Sequence, residues 1–169
     1  MICGDAYLGE EPPTNCAFCG AHSKFIREDA KWPVPEEPIK NLTPKTRENL
    51  LASIRTELRN ANFYACAAGN AEDIKLQKLF KFLRKIEIEH ATVFNKALGL
   101  KDFPKVDVTC AADDKANLKQ AREYETDAIN HYKKFLSEAT EARAKQIFTA
   151  LIEVENDHLA VEEEKLKKI

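Results

Sequence analysis

The feature that most constrains this chain is an internal repeat that carries acidic residues and histidines in register. An offset of 68 residues superposes three pairs of polar residues: Glu57 on Glu125, Glu87 on Glu155 and His90 on His158. Each half of the repeat therefore has one Glu followed, further along, by a Glu-x-x-His motif. Because the chain contains only 4 histidines, two of them at matching places beside matching glutamates indicate a shared role.

Apolar residues around these motifs recur at helical spacing and predict four helices, over 47–68, 74–98, 114–138 and from about 141 to the end of the sequence. Thr43 followed by Pro44 is typical of a helix start. Residues 99–112 are predicted to be extended and, at roughly 3.3 Å per residue, are long enough to span a whole helix. Two helical hairpins joined by one long crossover form an all-α, ferritin-like four-helix bundle.

The spacing of the polar residues predicts a metal centre inside this bundle. Residues three apart lie on one helix face, so each Glu-x-x-His pair can reach one centre. Carboxylates in an apolar core cost several kcal/mol each unless cations neutralise them. We predict two metal ions held by six side chains: Glu57, Glu87, His90, Glu125, Glu155 and His158. Carboxylates with one imidazole per metal suit iron or manganese, and iron is the first choice.

Other polar residues near these motifs receive simpler interpretations. Tyr64 and Tyr132 lie seven residues after Glu57 and Glu125 on the same face, where core packing is favoured over a hydrogen bond to a ligand carboxylate. Three further residues are predicted to face solvent: Glu89, Asp157 and His131.

The first 29 residues contain three of the five cysteines and show no helical period. Cys16 and Cys19, followed by Gly20, form a metal knuckle, to which Cys3 adds a third thiolate for one iron or zinc ion. The fourth ligand stays open among five candidates: His22, the α-amine of Met1, a water molecule, Cys66 and Cys110. Cys66 and Cys110 are otherwise interpreted as ordinary buried thiols.

Composition separates the chain into three parts and limits its partners. Residues 1–29 form the metal-binding module, 30–43 a Pro-rich linker and 44–169 the bundle. The net charge of -2 mixes both signs, which argues against nucleic acid or anionic lipid as partners. No apolar run reaches the roughly 20 residues of a membrane helix. The N-terminus also lacks a basic stretch followed by an apolar one, and together these features predict a cytoplasmic protein. An odd number of cysteines beside an ample core predicts reduced thiols.

Two sets of motifs resemble the rubrerythrin family. The resemblance to its rubredoxin-like module rests on Cys3-Gly4, Tyr7 and Cys16-Ala-Phe-Cys19-Gly20. The resemblance to its ferritin-like domain rests on Glu57, Glu87-Ile-Glu-His90, Glu125 and Glu155-Asn-Asp-His158. The resemblance implies an iron–thiolate module that passes electrons from a donor protein to a di-iron site, which reduces hydrogen peroxide in oxidative-stress defence. It also implies a homodimer in which one subunit's module approaches its partner's bundle. In that arrangement Glu87 and Glu155 bridge the irons, and Glu57 and Glu125 are terminal ligands.

The chain departs from the family pattern in two places. One cysteine of the first knuckle is missing, and Ala128 occupies a position where typical members carry an additional Glu. Two alternative functions therefore stay open beside peroxide reduction. One is oxidation of ferrous iron by dioxygen or peroxide for detoxification or storage. The other is a non-catalytic metal-binding bundle with a zinc-stabilised interaction module.

Overall fold

A computed structural model describes residues 1–28 and 37–169 of the chain. Four long helices dominate it: α1 (Pro44–Asn70), α2 (Ile74–Leu98), α3 (Asp114–Glu138) and α4 (Ala142–Leu166). The sequence prediction of an all-α, ferritin-like bundle with a crossover between the second and third helices is confirmed. Half of the predicted Pro-rich linker, 30–43, lies outside the described residues.

Local sequence signals fix where the helices begin and end. Thr43 caps α1, since its hydroxyl accepts from the Thr46 N–H at 3.2 Å, and Pro44 occupies the first turn. Asp113 caps α3 in the same way, accepting from the Ala116 N–H at 2.6 Å. Gly99 ends α2 with a φ of 69°, a left-handed conformation that glycine adopts without strain. Helix α1 continues through Gly69 to Asn70, two residues further than the sequence predicted.

The bundle core consists of two apolar clusters. One contains Leu50, Ile54 and Phe148, together with Cys3 and Cys19 of the N-terminal module. The other contains residues nearer the α1–α2 turn, among them Phe63, Phe80, Leu83 and Leu118. The Glu and His residues of the repeat lie along the helices between these clusters. A buried polar layer therefore crosses a core that is apolar on both sides.

The crossover, residues 99–113, runs beside α1. Asn62 donates to the Val106 carbonyl at 2.6 Å, and Asn70 donates to the Ala111 carbonyl at 3.0 Å. Between them, Cys66 and Cys110 form a disulfide. The interpretation of these cysteines as ordinary buried thiols was therefore wrong, because the sequence does not reveal that the crossover lies against the α1 face that carries Cys66.

The disulfide is expected to contribute substantially to stability. It links residues separated by 44 positions, and closing a loop of that size reduces the entropy of the unfolded chain. Replacing Cys110 with Ser should lower the free energy of unfolding by about 2–4 kcal/mol. Urea unfolding with and without a thiol reductant measures the effect. An unchanged unfolding midpoint of the wild-type protein in reductant would contradict it.

Glu141, the N-cap residue of α4, connects two helix starts. One of its carboxylate oxygens accepts from the Thr43 N–H at 2.6 Å and the other accepts from the Thr46 hydroxyl at 2.6 Å. Partial burial opposes ionisation, but these hydrogen bonds hold the pKa of Glu141 at about 2.

Replacing Glu141 with Gln is expected to destabilise the protein by about 1 kcal/mol at neutral pH, since an amide nitrogen must face a donor. Because the folded pKa lies below the ordinary value of 4.5, the carboxylate's contribution is present above that pH and is lost as the pH falls toward 2. Urea unfolding between pH 7 and 3 should show the difference from wild type narrowing. Glu48→Gln, on an exposed position of α1, is the control.

The N-terminal module packs directly on α2 and α4. Lys96 donates to the Cys3 carbonyl at 2.9 Å, and Arg143 donates to the carbonyls of Met1 and Ile2 at 2.7 and 2.8 Å. Gly20 has a φ of 72°, and a Cβ there would lie 2.8 Å from a methyl group of Val154. A side chain at this position would therefore push the knuckle away from α4. Within the described residues, no helix has the length and apolar character that a membrane span requires.

Candidate metal centre

All four helices contribute to one buried polar layer. Glu57 comes from α1, Glu125 from α3, and the two Glu-x-x-His pairs come from α2 and α4. Each of the four glutamates and His90 is 0% exposed, and His158 is 5% exposed. The structure thus brings together all six residues that the repeat singled out. Their role as metal ligands stays a prediction.

The six residues form two groups that share two carboxylates. One group contains Glu57, Glu87, His90 and Glu155, and the other contains Glu87, Glu125, Glu155 and His158. Within each group the candidate ligand atoms lie within 4.8 Å of one another. Glu87 and Glu155 belong to both groups, which is the arrangement expected of bridging carboxylates.

Each imidazole directs one nitrogen toward the carboxylates. Nδ1 of His90 lies 3.1 Å from an oxygen of Glu155 and 3.5 Å from one of Glu87. Nδ1 of His158 lies 2.9 and 3.0 Å from the other oxygens of the same two residues. The rings lie nearly parallel, with their centroids 6.0 Å apart. The pseudo-symmetry of the sequence therefore reappears as two equivalent half-sites.

The layer contains many polar atoms that other described residues leave unsatisfied. Both side-chain oxygens of Glu87 and Glu155, one oxygen each of Glu57 and Glu125, and Nδ1 of both histidines have no hydrogen-bond partner there. Buried polar groups are normally paired, and leaving one unpaired costs about 1–3 kcal/mol. Two divalent cations would satisfy these atoms and balance the carboxylate charge. The residues present therefore fit a two-metal centre.

Electrostatics in the layer favours positive charge. Burial, together with repulsion from neighbouring carboxylates, raises the pKa of Glu57 and of Glu125 well above the usual range. Burial opposes charge on His158, but the adjacent carboxylates of Glu155 and Glu87 raise its pKa to about 10. Protons and metal ions therefore compete for the same sites, and metal affinity should fall as the pH is lowered.

Tyr64 and Tyr132 support the carboxylates crosswise. Tyr132 on α3 donates to Glu57 on α1, and Tyr64 on α1 donates to Glu125 on α3. Both phenols are 0% exposed. Core packing, which the sequence favoured, thus describes only part of their role. Each hydroxyl also fixes one carboxylate oxygen, so that the second oxygen is free to bind a metal.

The three N-terminal cysteines also come together. The sulfurs of Cys3, Cys16 and Cys19 lie within 4.8 Å of one another. Hydrogen bonds from the other two thiols lower the pKa of Cys16 to about 2, while the contact with Cys16 raises the pKa of Cys3 and of Cys19. The cluster therefore favours one thiolate, at Cys16. Among the described residues, no fourth His, Cys, Asp or Glu atom lies as close to all three.

His22 lies against α4 and is not part of the group formed by the three cysteines, so its suggested role as fourth ligand gains no support. Its Nε2 lies 2.7 Å from an Asp157 oxygen and its Nδ1 lies 3.4 Å from a Glu153 oxygen. These contacts with α4 engage both ring nitrogens, and no sequence spacing could reveal a contact between residues so far apart in the chain. The disulfide likewise removes Cys66 and Cys110. The α-amine of Met1 and a water molecule stay open.

A hydrogen bond connects the cysteine cluster with the carboxylate layer. His90 Nε2–H donates to the Cys19 carbonyl at 2.9 Å, while the Nδ1 of the same ring faces the carboxylates. A proton on Nε2 leaves the lone pair of Nδ1 available for a metal. One histidine therefore belongs to the layer and touches the backbone of a cysteine in the cluster. Nε2 of His158 has no such partner among the described residues.

The remaining polar residues near the motifs differ in burial. His131 and Asp157 are exposed, as predicted, whereas Glu89 is half-buried close to Asp5. Sequence reasoning missed Glu162, which is 0% exposed and lies within hydrogen-bond distance of the Tyr64 hydroxyl. The spacing of four residues from His158 could have identified it, but it begins a run of three glutamates that is typical of a solvated helix end.

Comparisons with known proteins agree with this geometry. The Rubrerythrin family model matches residues 48–167. Reverse rubrerythrin-1 from Clostridium acetobutylicum is 28% identical over 108 residues, which span 59% of this chain and 60% of that relative. A hypothetical protein from Pyrococcus furiosus shares the fold, with a TM-score of 0.60 and 19% identity over 72% of this chain and 88% of that one. The chain therefore belongs to the rubrerythrin family, and residues 48–167 are its ferritin-like di-iron domain.

Proposed function

We propose that this protein is a non-haem di-iron oxidoreductase that reduces hydrogen peroxide to water. The observation that carries the proposal is the hydrogen bond from His90 to the Cys19 carbonyl. A bundle that only bound metal would not need a thiolate cluster against one of its histidines. The contact gives electrons a short route from the cysteine cluster to the carboxylate layer.

The reaction consumes two electrons and two protons for each peroxide. The O–O bond breaks, both oxygens are reduced and two water molecules form. The six ligands would hold two ferrous ions, which would supply one electron each. Iron at the cysteine cluster, reduced by a donor protein, would restore those electrons.

The chain's own residues contribute positioning and a dry environment. Tyr132 and Tyr64 hold Glu57 and Glu125 in fixed orientations, and the Cys19 carbonyl does the same for the His90 ring. The apolar clusters on either side exclude water from the layer, which strengthens every charge interaction within it. Small peroxide could therefore react in a site that is already arranged.

Anaerobic loading with ferrous iron, metal counting and stopped-flow mixing with an oxidant test the proposal. We expect peroxide to oxidise two irons per chain faster than dioxygen does. Once the donor is exhausted, a thiolate-to-iron(III) absorption should appear as the cysteine cluster gives up its own electron. Faster oxidation by dioxygen without thiolate absorption would instead identify a ferroxidase. Metal that raises stability but reacts with neither oxidant would identify a non-catalytic bundle.

Ferroxidase activity is a second candidate because of the incomplete cysteine cluster. Three sulfurs without a fourth protein side chain among the described residues also suit zinc, which cannot relay electrons. Oxidation of ferrous iron needs no second redox centre. Metal analysis of protein purified without added metal distinguishes iron from zinc at this cluster.

The proposal also includes partners and a cellular location. We expect a donor protein that reduces the cysteine cluster, a homodimer that can exchange N-terminal modules, and a cytoplasmic location. The module contacts its own bundle here, so module exchange is not required for the His90–Cys19 contact.

A further inference from the structure

Glu162 breaks the pseudo-symmetry of the metal centre. It lies on α4, one turn after His158, and is 0% exposed. One of its oxygens lies 2.6 Å from the Tyr64 hydroxyl, and the other has no partner among the described residues. The repeat offset places Phe94 at the equivalent position of the first half, where its ring packs 5.8 Å from that of Tyr132. Tyr132 therefore has one carboxylate partner and Tyr64 has two.

The single hydroxyl hydrogen of Tyr64 limits how this residue can hydrogen-bond to both carboxylates. A phenol has one hydrogen and can donate it to one acceptor. The Tyr64 oxygen nevertheless lies within hydrogen-bond distance of both Glu125 and Glu162. If both carboxylates were ionised, one of these contacts would join two oxygens without a hydrogen between them. One carboxyl group must therefore carry a proton.

The proton is assigned to Glu162 because Glu125 is a candidate metal ligand and Glu162 is not. Glu125 belongs to a candidate ligand group and must be ionised to bind metal, whereas Glu162 belongs to neither group. The hydrogens are then ordered in one direction: Glu162 donates to the Tyr64 oxygen, and Tyr64 donates to Glu125. Burial raises the pKa of Glu162 to about 8, although the contact with Tyr64 and the charge of His158 lower it. The raised pKa agrees with this order.

We propose that Glu162 is a positioning residue of the metal centre, a neutral carboxylic acid that fixes the direction of the Tyr64 hydrogen bond to Glu125. The inference rests on the metal centre of the proposed function but not on its reaction with peroxide. A hydrogen bond donated to the Tyr64 oxygen strengthens the one that Tyr64 donates to Glu125, by about 10–30% in a cooperative chain. Glu125 is thus held more firmly than Glu57, and the two metal positions become unequal.

Infrared spectroscopy of anaerobic, ferrous-loaded protein tests the proton on Glu162. Bound metal keeps the ligand carboxylates ionised, so a difference between wild type and Glu162→Gln isolates one acid. We expect the variant to lose one carboxylic-acid carbonyl band. Glu164→Gln, which makes the same chemical change on an exposed position of α4, should leave the band intact. No band difference at Glu162 would overturn the proposal.

Metal affinity tests the positioning role separately. Gln can still donate to the Tyr64 oxygen, so Glu162→Gln should bind both ferrous ions within about threefold of wild type, whereas Glu162→Leu should bind one ion about tenfold more weakly. Leucine removes a buried unpaired oxygen, so the variant should fold, which circular dichroism verifies. Equal affinities of the leucine variant and wild type would contradict the inference. Neither experiment measures peroxide turnover, so the results do not depend on whether the protein reduces peroxide.

Discussion

Replacing Glu87 and Glu155 together with Ala is expected to remove both ferrous ions from the bundle. The two carboxylates belong to both ligand groups, so each half-site loses two of its four donors. Loss of supporting residues alone typically weakens metal binding about 10–100-fold, and loss of ligands should weaken it more. Anaerobic equilibrium dialysis counts the bound iron, and thiolate absorption counts iron at the cysteine cluster separately.

The control for this variant removes the same number of charges outside the layer. Glu123→Ala with Glu164→Ala changes exposed positions on α3 and α4 and should bind two ions as wild type does. Thermal unfolding gives a second measurement, because ligand at 100 times its Kd stabilises a protein by about 2.7 kcal/mol. Ferrous iron should raise the unfolding temperature of the control but not of the Glu87/Glu155 variant. Two ions bound by the latter would disprove the ligand set.

The repeat made the fold and the layer predictable because both follow from local rules. Helical periodicity and the Thr43 cap place helices by interactions within a few residues. Side chains three apart share a face, so Glu87 with His90 must point together wherever that face packs. The match between the two halves then implies that both faces meet at one place.

Features that depend on contacts between distant segments were not predictable. The Cys66–Cys110 disulfide requires knowing which face of α1 the crossover covers. His22 could approach either the cysteines or α4, and only the packing of the module decides between them. Glu162 has no acidic counterpart in the repeat, since Phe94 occupies the equivalent position. The symmetry of the repeat therefore does not identify it.

The incomplete cysteine cluster shows how function can depend on such contacts. A knuckle of Cys16 and Cys19 can be recognised from sequence, but its usefulness as a relay depends on what lies beside it. The structure puts the Cys19 carbonyl on a histidine of the carboxylate layer. Whether the cluster carries electrons can be tested without disturbing that layer.

Replacing Cys16 with Ser is expected to separate one round of peroxide reduction from continuous turnover. The carboxylate layer keeps all six ligands, so a ferrous-loaded variant should still transfer two electrons to peroxide at a rate within about threefold of wild type. Steady turnover with reduced methyl viologen should fall by about tenfold or more, because the relay has lost a thiolate. Stopped-flow mixing measures the first rate, and peroxide consumption under anaerobic conditions measures the second.

Cys110→Ser is the matched control, since it makes the same Cys-to-Ser change outside the cluster, at a cysteine of the disulfide. It should lower stability but leave both rates unchanged at a temperature where the protein is folded. If Cys16→Ser turns over as fast as this control, the donor reduces the carboxylate layer directly and the cysteine cluster is not a relay. If Cys16→Ser also loses the single round of peroxide reduction, the N-terminal module is needed to hold His90 in place. The hydrogen bond from His90 to the Cys19 carbonyl would then orient a metal ligand and would not be part of an electron route.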